Sequence, residues 1–282
     1  MEVPANLISD SPLVQDTFDF VTAKGGRARM SEIAETVFRL SYAGDELSTA
    51  LVSDLISNDR RFVVEDSSLL ISDHNPEARP LKEIDFVVLD VEAVAPKPLP
   101  ARIIELAAYR VRAGEIVDEF QTLVNPGVPL SPFIAQLTGL SNEMIEAAPA
   151  FFDLARRWLE FAGDAVLVAH NSDFDVSLLN QEIARVFPGY RMRNSEVCTV
   201  KLARRLIRNS SGHKLDALAE HLGFEIPERH RAASDARATV RVLLHLFEEL
   251  AKYDVHTLEE ARSFRPPIAA HFQPDAQLVL DV

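Results

Sequence analysis

The stretch that most restricts the fold is Ile84–Val91 and its continuation, Phe86-Val-Val-Leu-Asp90-Val-Glu92. A nearly continuous apolar run of this length suits a central strand covered on both faces. Side chains alternate along a strand, so Asp90 and Glu92 share one face at its carboxyl end. Two carboxylates side by side there repel and lose hydration unless a cation compensates. The competing reading ends the strand one residue earlier and leaves both acids as solvated loop residues. A buried strand needs neighbours, and the chain supplies them. Arg102–Val111 and Glu119–Val124 pattern as strands joined across Ala113-Gly114, and Ala165–Ala169 as a fourth. Helical spacing falls at 132–137, 150–161, 174–187, 199–207, 214–222 and 233–250. Hairpin-linked strands followed by strand–helix alternation predict an α/β sheet of mixed direction over residues 83–250.

The 282 residues leave room for a second unit. Residues 1–75 read as three helices and a hairpin. Leu13, Val14, Phe18 and Val21 line the first helix, and the second opens at Ser31. Asp45–Ser57 makes the third, with Leu47, Leu51, Leu55 and Ile56 inward. Strands Arg61–Glu65 and Ser68–Ser72 flank Asp66-Ser67. That order is a winged helix, and the segment resembles the small winged helices of the bacterial RNA polymerase delta subunit type. Residues 76–82 are a proline-containing linker and 251–282 a tail. The net charge of −14 argues against nucleic-acid binding by bulk charge, because counterion release needs clustered cations. A single cysteine, Cys198, excludes a disulfide framework or a thiolate zinc site within this chain. No apolar run approaches about 18 residues, and the start lacks a basic-then-apolar leader. The expectation is a soluble, cytoplasmic protein.

Two further elements carry chemistry. His170-Asn171-Ser-Asp-Phe174-Asp175 follows the fourth strand and opens a helix. A carboxylate in a first helical turn is favoured by the dipole, so Asp175 reads equally well as a cap. Asp173 lies in the same turn, and spacing does not choose between them. His230-Arg-Ala-Ala-Ser-Asp235 precedes the last long helix, where Ser234 or Asp235 serves as an ordinary N-cap and His230 as a loop residue.

Each element alone is ambiguous, but the ordered set resembles the three motifs of the DEDDh (DnaQ-like) exonucleases. That family is typified by the proofreading epsilon subunit of bacterial DNA polymerase III. The likeness covers about residues 83–250, with supporting stretches at Leu137-Thr-Gly-Leu140 and 213–223, and the spacing of His230 to Asp235 matches the His branch. It implies a ribonuclease H-like mixed five-stranded sheet flanked by helices, beside the small N-terminal winged-helix domain. It also implies two Mg²⁺ or Mn²⁺ ions, a choice that agrees with oxygen ligands and no cysteine cluster. By that resemblance Asp90 bridges the ions, Glu92 and Asp235 hold the nucleophile-side ion, and Asp175 supports the other. His230 takes a proton from the attacking water. Ala93, Val94, Thr138 and Leu140 fall where the family lines the terminal nucleotide, with His170 and Asn171 behind them. One departure is the Ala93-Val94-Ala95 run, where relatives usually carry hydroxyl residues. The implied activity is 3′→5′ exonucleolysis of single-stranded or frayed DNA in proofreading or repair. Its rivals are an exoribonuclease of the same fold and a non-catalytic nucleic-acid or clamp-binding module.

Between Arg191 and Lys214 lie seven cations and one acid, Glu196. Lys201, Arg204, Arg205 and Arg208 share one helical side, which we read as a phosphate track. Residues 1–80, with seven cations and fourteen acids, suit protein docking or regulation better than duplex binding. The tail Gln277-Leu-Val-Leu-Asp-Val282 resembles the peptides by which bacterial replication proteins bind the sliding clamp; a DNA polymerase or that clamp is the partner it implies.

Overall fold

The computed structural model describes residues 3–42, 44–57, 59–72, 78–95, 100–208 and 210–267. From the N-terminus these give β1 (Leu7–Ser9), α1 (Pro12–Ala23), β2 (Arg27–Arg29), α2 (Met30–Thr36), α3 (Asp45–Ile56), β3 (Phe62–Glu65) and β4 (Ser68–Ile71). The next strands are β5 (Phe86–Val94), β6 (Arg102–Arg112) and β7 (Glu115–Leu123), followed by α4 (Pro132–Thr138), α5 (Asn142–Glu146) and α6 (Phe151–Ala162). Then come β8 (Val166–Ala169), α7 (Ser172–Val186), β9 (Tyr190–Met192), β10 (Glu196–Cys198), α8 (Thr199–Leu206), α9 (Leu215–His221), α10 (Ala232–Ala251) and α11 (Leu258–Ser263).

Phe86, Val87, Val88 and Leu89 are all buried, because β5 is covered on both faces. Val87, Leu89 and Val91 pack with Trp158 of α6 and Leu178 and Leu179 of α7. Phe86 and Val88 pack with Ala236, Val240 and Leu243 of α10. The sheet runs β10-β8-β5-β6-β7. β5 is parallel to β8 and antiparallel to β6, β8 is parallel to β10, and β6 is antiparallel to β7. This is the mixed five-stranded α/β sheet read from the sequence. Ala113 and Gly114 both have positive φ, 50° and 85°, as a tight hairpin between twisted strands requires. α6 buries Phe151, Leu154, Ala155, Trp158, Leu159 and Ala162, a stripe at three- and four-residue spacing.

Within the five-stranded sheet, β10 is absent from the sequence pattern and β7 starts earlier than expected. β10 is three residues long and runs straight into α8, too short for any period to emerge. β7 begins at Glu115, four residues before the expected start, and Glu115–Glu119 is exposed throughout. An edge strand solvated on both faces shows no apolar alternation until Phe120.

In the N-terminal segment α1, α2, α3 and the sheet β2-β4-β3 enclose their own core, including Val14, Val21, Ile33, Val52, Phe62 and Leu69. The expected helices and hairpin are present, and β2 adds a third strand against β4. The inward face of α3 matches the expectation at Ile56, which is buried, and Leu55, which packs on this core, but Ser48 and Val52 are buried where Leu47 and Leu51 were expected, and those two are exposed. Two i,i+4 stripes compete on this helix, and packing against α2 selects the less apolar one. β1 pairs antiparallel with β9 and Asn6 Nδ2 donates to Leu159 O and Gly163 O at 2.9 and 3.1 Å, stitching the N-terminus to the α6 end. The described part of the 76–82 linker is pinned, with Leu81 N donating to His256 O at 2.7 Å. The Gln277–Val282 peptide lies outside the described residues. No helix among the described residues is long and apolar enough to cross a membrane.

Candidate active site

Asp90 and Glu92 lie half-buried on the α10-facing side of β5, continuing the Phe86–Val88 parity. Just beyond them the β5–β6 register shifts, with Glu92 opposite Glu105 and Ala93 opposite Ile103. Such a bulge bends the strand end away from its neighbour. From the other side, α7 starts immediately after β8 through Asn171, whose φ of 87° turns the chain sharply into the helix. That turn delivers Asp175, which is buried, to the backbone of β5, where its Oδ1 accepts from Val91 N at 3.2 Å. Asp173, two residues earlier, points to solvent and pairs with Lys201 at 2.7 Å.

The loop ahead of α10 and the first turn of that helix supply the remainder. Asp235, only 2% exposed, accepts at Oδ2 from His230 N at 3.2 Å and from the Arg229 guanidinium. Its Oδ1 is buried and has no hydrogen-bond partner. His230 adopts φ 62°, a left-handed conformation unusual for a non-glycine residue, so the loop is held in a specific shape. Ligand atoms of Glu92, His230 and Asp235 fall within 4.8 Å of one another.

The electrostatics follow from crowding. Burial drives the Asp90 carboxyl well above the usual carboxylate range, reinforced by Asp175, Asp235 and Glu92 and opposed by Arg229. Glu92 is pushed up to about 7 by burial, then by Asp235 and Glu105, with Arg229 and Arg231 opposing. Asp175 is likewise pushed up to about 7 by burial, partly offset by the Val91 N–H. Burial also raises Asp235 against the pull of Arg229. Four carboxylates, an orphaned buried oxygen and no thiolate form a donor set suited to a hard cation. The cluster stores an unmet demand for positive charge.

Four residues of this arrangement were not anticipated. Arg229 bridges Asp235 and Asp216, its Nε lying 2.5 Å from Asp216 Oδ1. Arg231 grips Glu105 through Nη2 at 2.9 Å and Nε at 3.2 Å, and Ala232 N adds a bond of 3.1 Å. Glu105 had a signal: it stands between Ile104 and Leu106 in an apolar strand, and a buried acid demands a partner. Arg229 and Asp216 had none, because the loop path alone brings them together.

Most residues expected at the nucleotide turn inward. Val94 and Leu140 share a small core with Ile104, Leu130 and Ile145, while half-buried Ala93 packs on the main core. Thr138 Oγ1 donates to Ile134 O at 2.8 Å and accepts from Leu140 N at 3.3 Å. His170 Nδ1 meets Thr199 Oγ1 at 2.9 Å and its Nε2 meets His213 O at 3.0 Å. Burial lowers its pKa to about 4, so at neutral pH it is an uncharged strut. Asn171 is exposed at the turn. Arg204 is exposed on α8, but that helix ends at Leu206, so Arg208 does not share its side as expected; its Nη2 donates to Pro266 O at 3.3 Å.

A mixed five-stranded sheet with acids gathered at the carboxyl end of its central strand, flanked by helices on both faces, has the ribonuclease H-like architecture of nucleases. The exonuclease (RNase_T) family model matches residues 87–243, more than half of the chain, and the chain belongs to that family. The DNA polymerase III epsilon subunit of Aquifex aeolicus is 36% identical over 165 residues, covering 58% of this chain and 81% of that protein. A PolC-type DNA polymerase III from Caldanaerobacter subterraneus is 36% identical over 181 residues, 64% of this chain, and the match spans only 13% of the polymerase. Among solved structures, Escherichia coli exonuclease I in complex with a dT13 oligonucleotide aligns with TM-score 0.54 at 16% identity, covering 61% of this chain and 43% of that one. The nuclease domain of the DEDDh protein 3′hExo, bound to rAMP, aligns with TM-score 0.52 at 20% identity, covering 61% of this chain and 95% of that domain. These two likenesses are of fold.

Proposed function

We propose that this chain is a divalent-metal-dependent 3′→5′ exonuclease acting on single-stranded or frayed DNA ends, in proofreading or repair. The observation that carries the reading is the convergence of Glu92, His230 and Asp235 on one point beside Asp90, around the unpartnered Asp235 Oδ1. Asp90, Glu92, Asp175 and Asp235 would hold two Mg²⁺ or Mn²⁺ ions. When bound, these ions offset the negative charge that develops on the phosphate and activate water as the nucleophile. His230, whose ring lies with the Glu92 and Asp235 carboxylates, would be the group to accept the proton of that water. Glu92 and Asp175, whose carboxyls burial pushes up to about 7, would give up any remaining proton to a bound cation. Arg231 pairs with Glu105 and offsets part of the negative charge that Glu105 brings to Glu92.

A gel assay on end-labelled single-stranded, duplex and mismatched DNA and on RNA, with Mg²⁺, Mn²⁺ or EDTA, tests this. Cation-dependent shortening of DNA from the 3′ end is expected. Asp90→Asn abolishes it while the circular dichroism spectrum stays native; full activity in that variant refutes the site. Residues 1–75 are read as a winged-helix-like domain for protein docking or regulation, in keeping with the acidic balance of the N-terminal segment. The Gln277–Val282 tail is read as a sliding-clamp peptide: deleting it weakens clamp binding in a pull-down, and unchanged binding removes that role.

A further inference from the structure

The cations that sequence patterning assigned to a phosphate track are largely spent inside the molecule. Arg191 pairs with Asp10, Arg193 with Asp164 and Lys201 with Asp173. Arg205 donates to Arg262 O and Phe264 O, and Arg208 to Pro266 O. A different pair is available. Arg237 and Arg241, both exposed and one turn apart on α10, sit over aromatic rings: Arg237 at 5.3 Å from Tyr109 and Arg241 at 3.9 Å from Phe224. Among the described residues neither guanidinium has a carboxylate within ion-pair distance.

Like charges at i,i+4 on a helix destabilise it by a few tenths of a kcal/mol, so helix stability gives no reason for this pair. The pair does, however, form a prepared seat. Tyr109 is locked by its own hydrogen bonds, donating to Ala233 O at 3.3 Å and accepting from Gln121 Nε2 at 3.2 Å. A guanidinium resting on a ring keeps its N–H edge directed outward, in the fork that matches phosphate oxygens. Both arginines line a groove of about 400 Å³ that runs to Ala233 and Ser234, in the first turn of α10 beside Asp235. At 1.5 Å per residue, Arg241 lies roughly 9 Å along the helix axis from Asp235. Glu225 lines the same groove without pairing to either arginine, which leaves their charge for a ligand.

We propose that Arg237 and Arg241 bind two backbone phosphates of the strand being degraded, a few nucleotides upstream of the bond at the acid cluster. This rests on the exonuclease reading above. The full chain carrying Asp90→Asn, which holds DNA without cutting it, is compared with the same chain also carrying Arg237→Gln and Arg241→Gln. Binding to a labelled single-stranded oligonucleotide of about ten nucleotides is followed by fluorescence anisotropy across salt concentrations. Each phosphate contact on a single strand contributes about 0.7 to the slope of log K against log salt, so the double substitution lowers that slope by about 1.4. Between about 50 and 200 mM salt the parent then loses roughly sevenfold more affinity than the variant. A dinucleotide, too short to reach the groove, shows no difference, and Arg237→Lys with Arg241→Lys retains the slope. An unchanged slope in the Gln variant overturns the proposal, as does a loss that appears only with duplex, which places the phosphates on the complementary strand. If the wild-type chain neither cuts nor binds single-stranded DNA, the exonuclease reading fails as well. If it does both and the slope is unmoved, the arginine assignment alone fails.

Discussion

Replacing Glu92 by Gln should make the metal-free protein more stable at neutral and alkaline pH. In the folded chain Glu92 sits beside Asp235 and Glu105 in a half-buried place, which lifts its pKa from 4.5 to about 7. A carboxyl whose folded pKa is raised binds its proton more tightly when native. Its favourable contribution is therefore present at pH values below 4.5 and is lost as pH climbs through about 7. At about 1.4 kcal/mol per pH unit, the rise amounts to about 3 kcal/mol of stability missing once Glu92 is forced to ionise. Glutamine keeps the shape and removes that cost. Urea unfolding in EDTA, followed by far-UV circular dichroism, should show the two proteins nearly equal at about pH 4.5 and Glu92→Gln ahead by about 3 kcal/mol at about pH 8. Adding Mn²⁺ should stabilise the wild type more than the variant and close the gap, because the cation binds the charge that glutamine lacks. A variant no more stable than wild type at alkaline pH, or a gap indifferent to pH, refutes the electrostatic account of the site.

Arg231→Ala leaves Glu105, 7% exposed at its side chain, with only the Ala232 N–H. Breaking a buried pair costs roughly 3–5 kcal/mol, and the exposed flank of Arg231 brings the expectation to about 2–3 kcal/mol in urea unfolding; a loss under about 0.5 kcal/mol contradicts it. Asn6→Ala removes both bonds to the α6 end, whose acceptors Leu159 O and Gly163 O keep other donors, Gly163 N and Asn194 Nδ2. A loss of about 1–2 kcal/mol in thermal unfolding is expected, and no change in Tm denies the N-terminal strand its anchoring role.

How legible each part was depended on how local its cause is. β5, β6, β8 and the long helices are written in apolar periodicity, since burial on two faces or one stripe imposes a repeat that survives in one dimension. On α3 the expectation holds at Leu55 and Ile56 and fails at Leu47 and Leu51, because Leu47–Leu51 and Ser48–Val52 are both valid spacings and only the partner helix chooses between them. β2 and β10 are three residues each, and their existence is a property of the strands beside them.

At the site, the acids and the histidine were visible as residue types at motif spacing, with Asp173 and Asp175 undecided. The turn at Asn171 separates those two, burying Asp175 against Val91 N and leaving Asp173 to Lys201. By itself the order of residues determined the class of sheet and the carboxylates that flank its central strand, because strand and helix periods are short-range. Only the tertiary structure decided which cations are spent and which are available, and that Arg229, Asp216, Arg231 and Glu105 belong to the same electrostatic unit. Charge pairing acts through space over a few ångströms, whatever the distance along the chain.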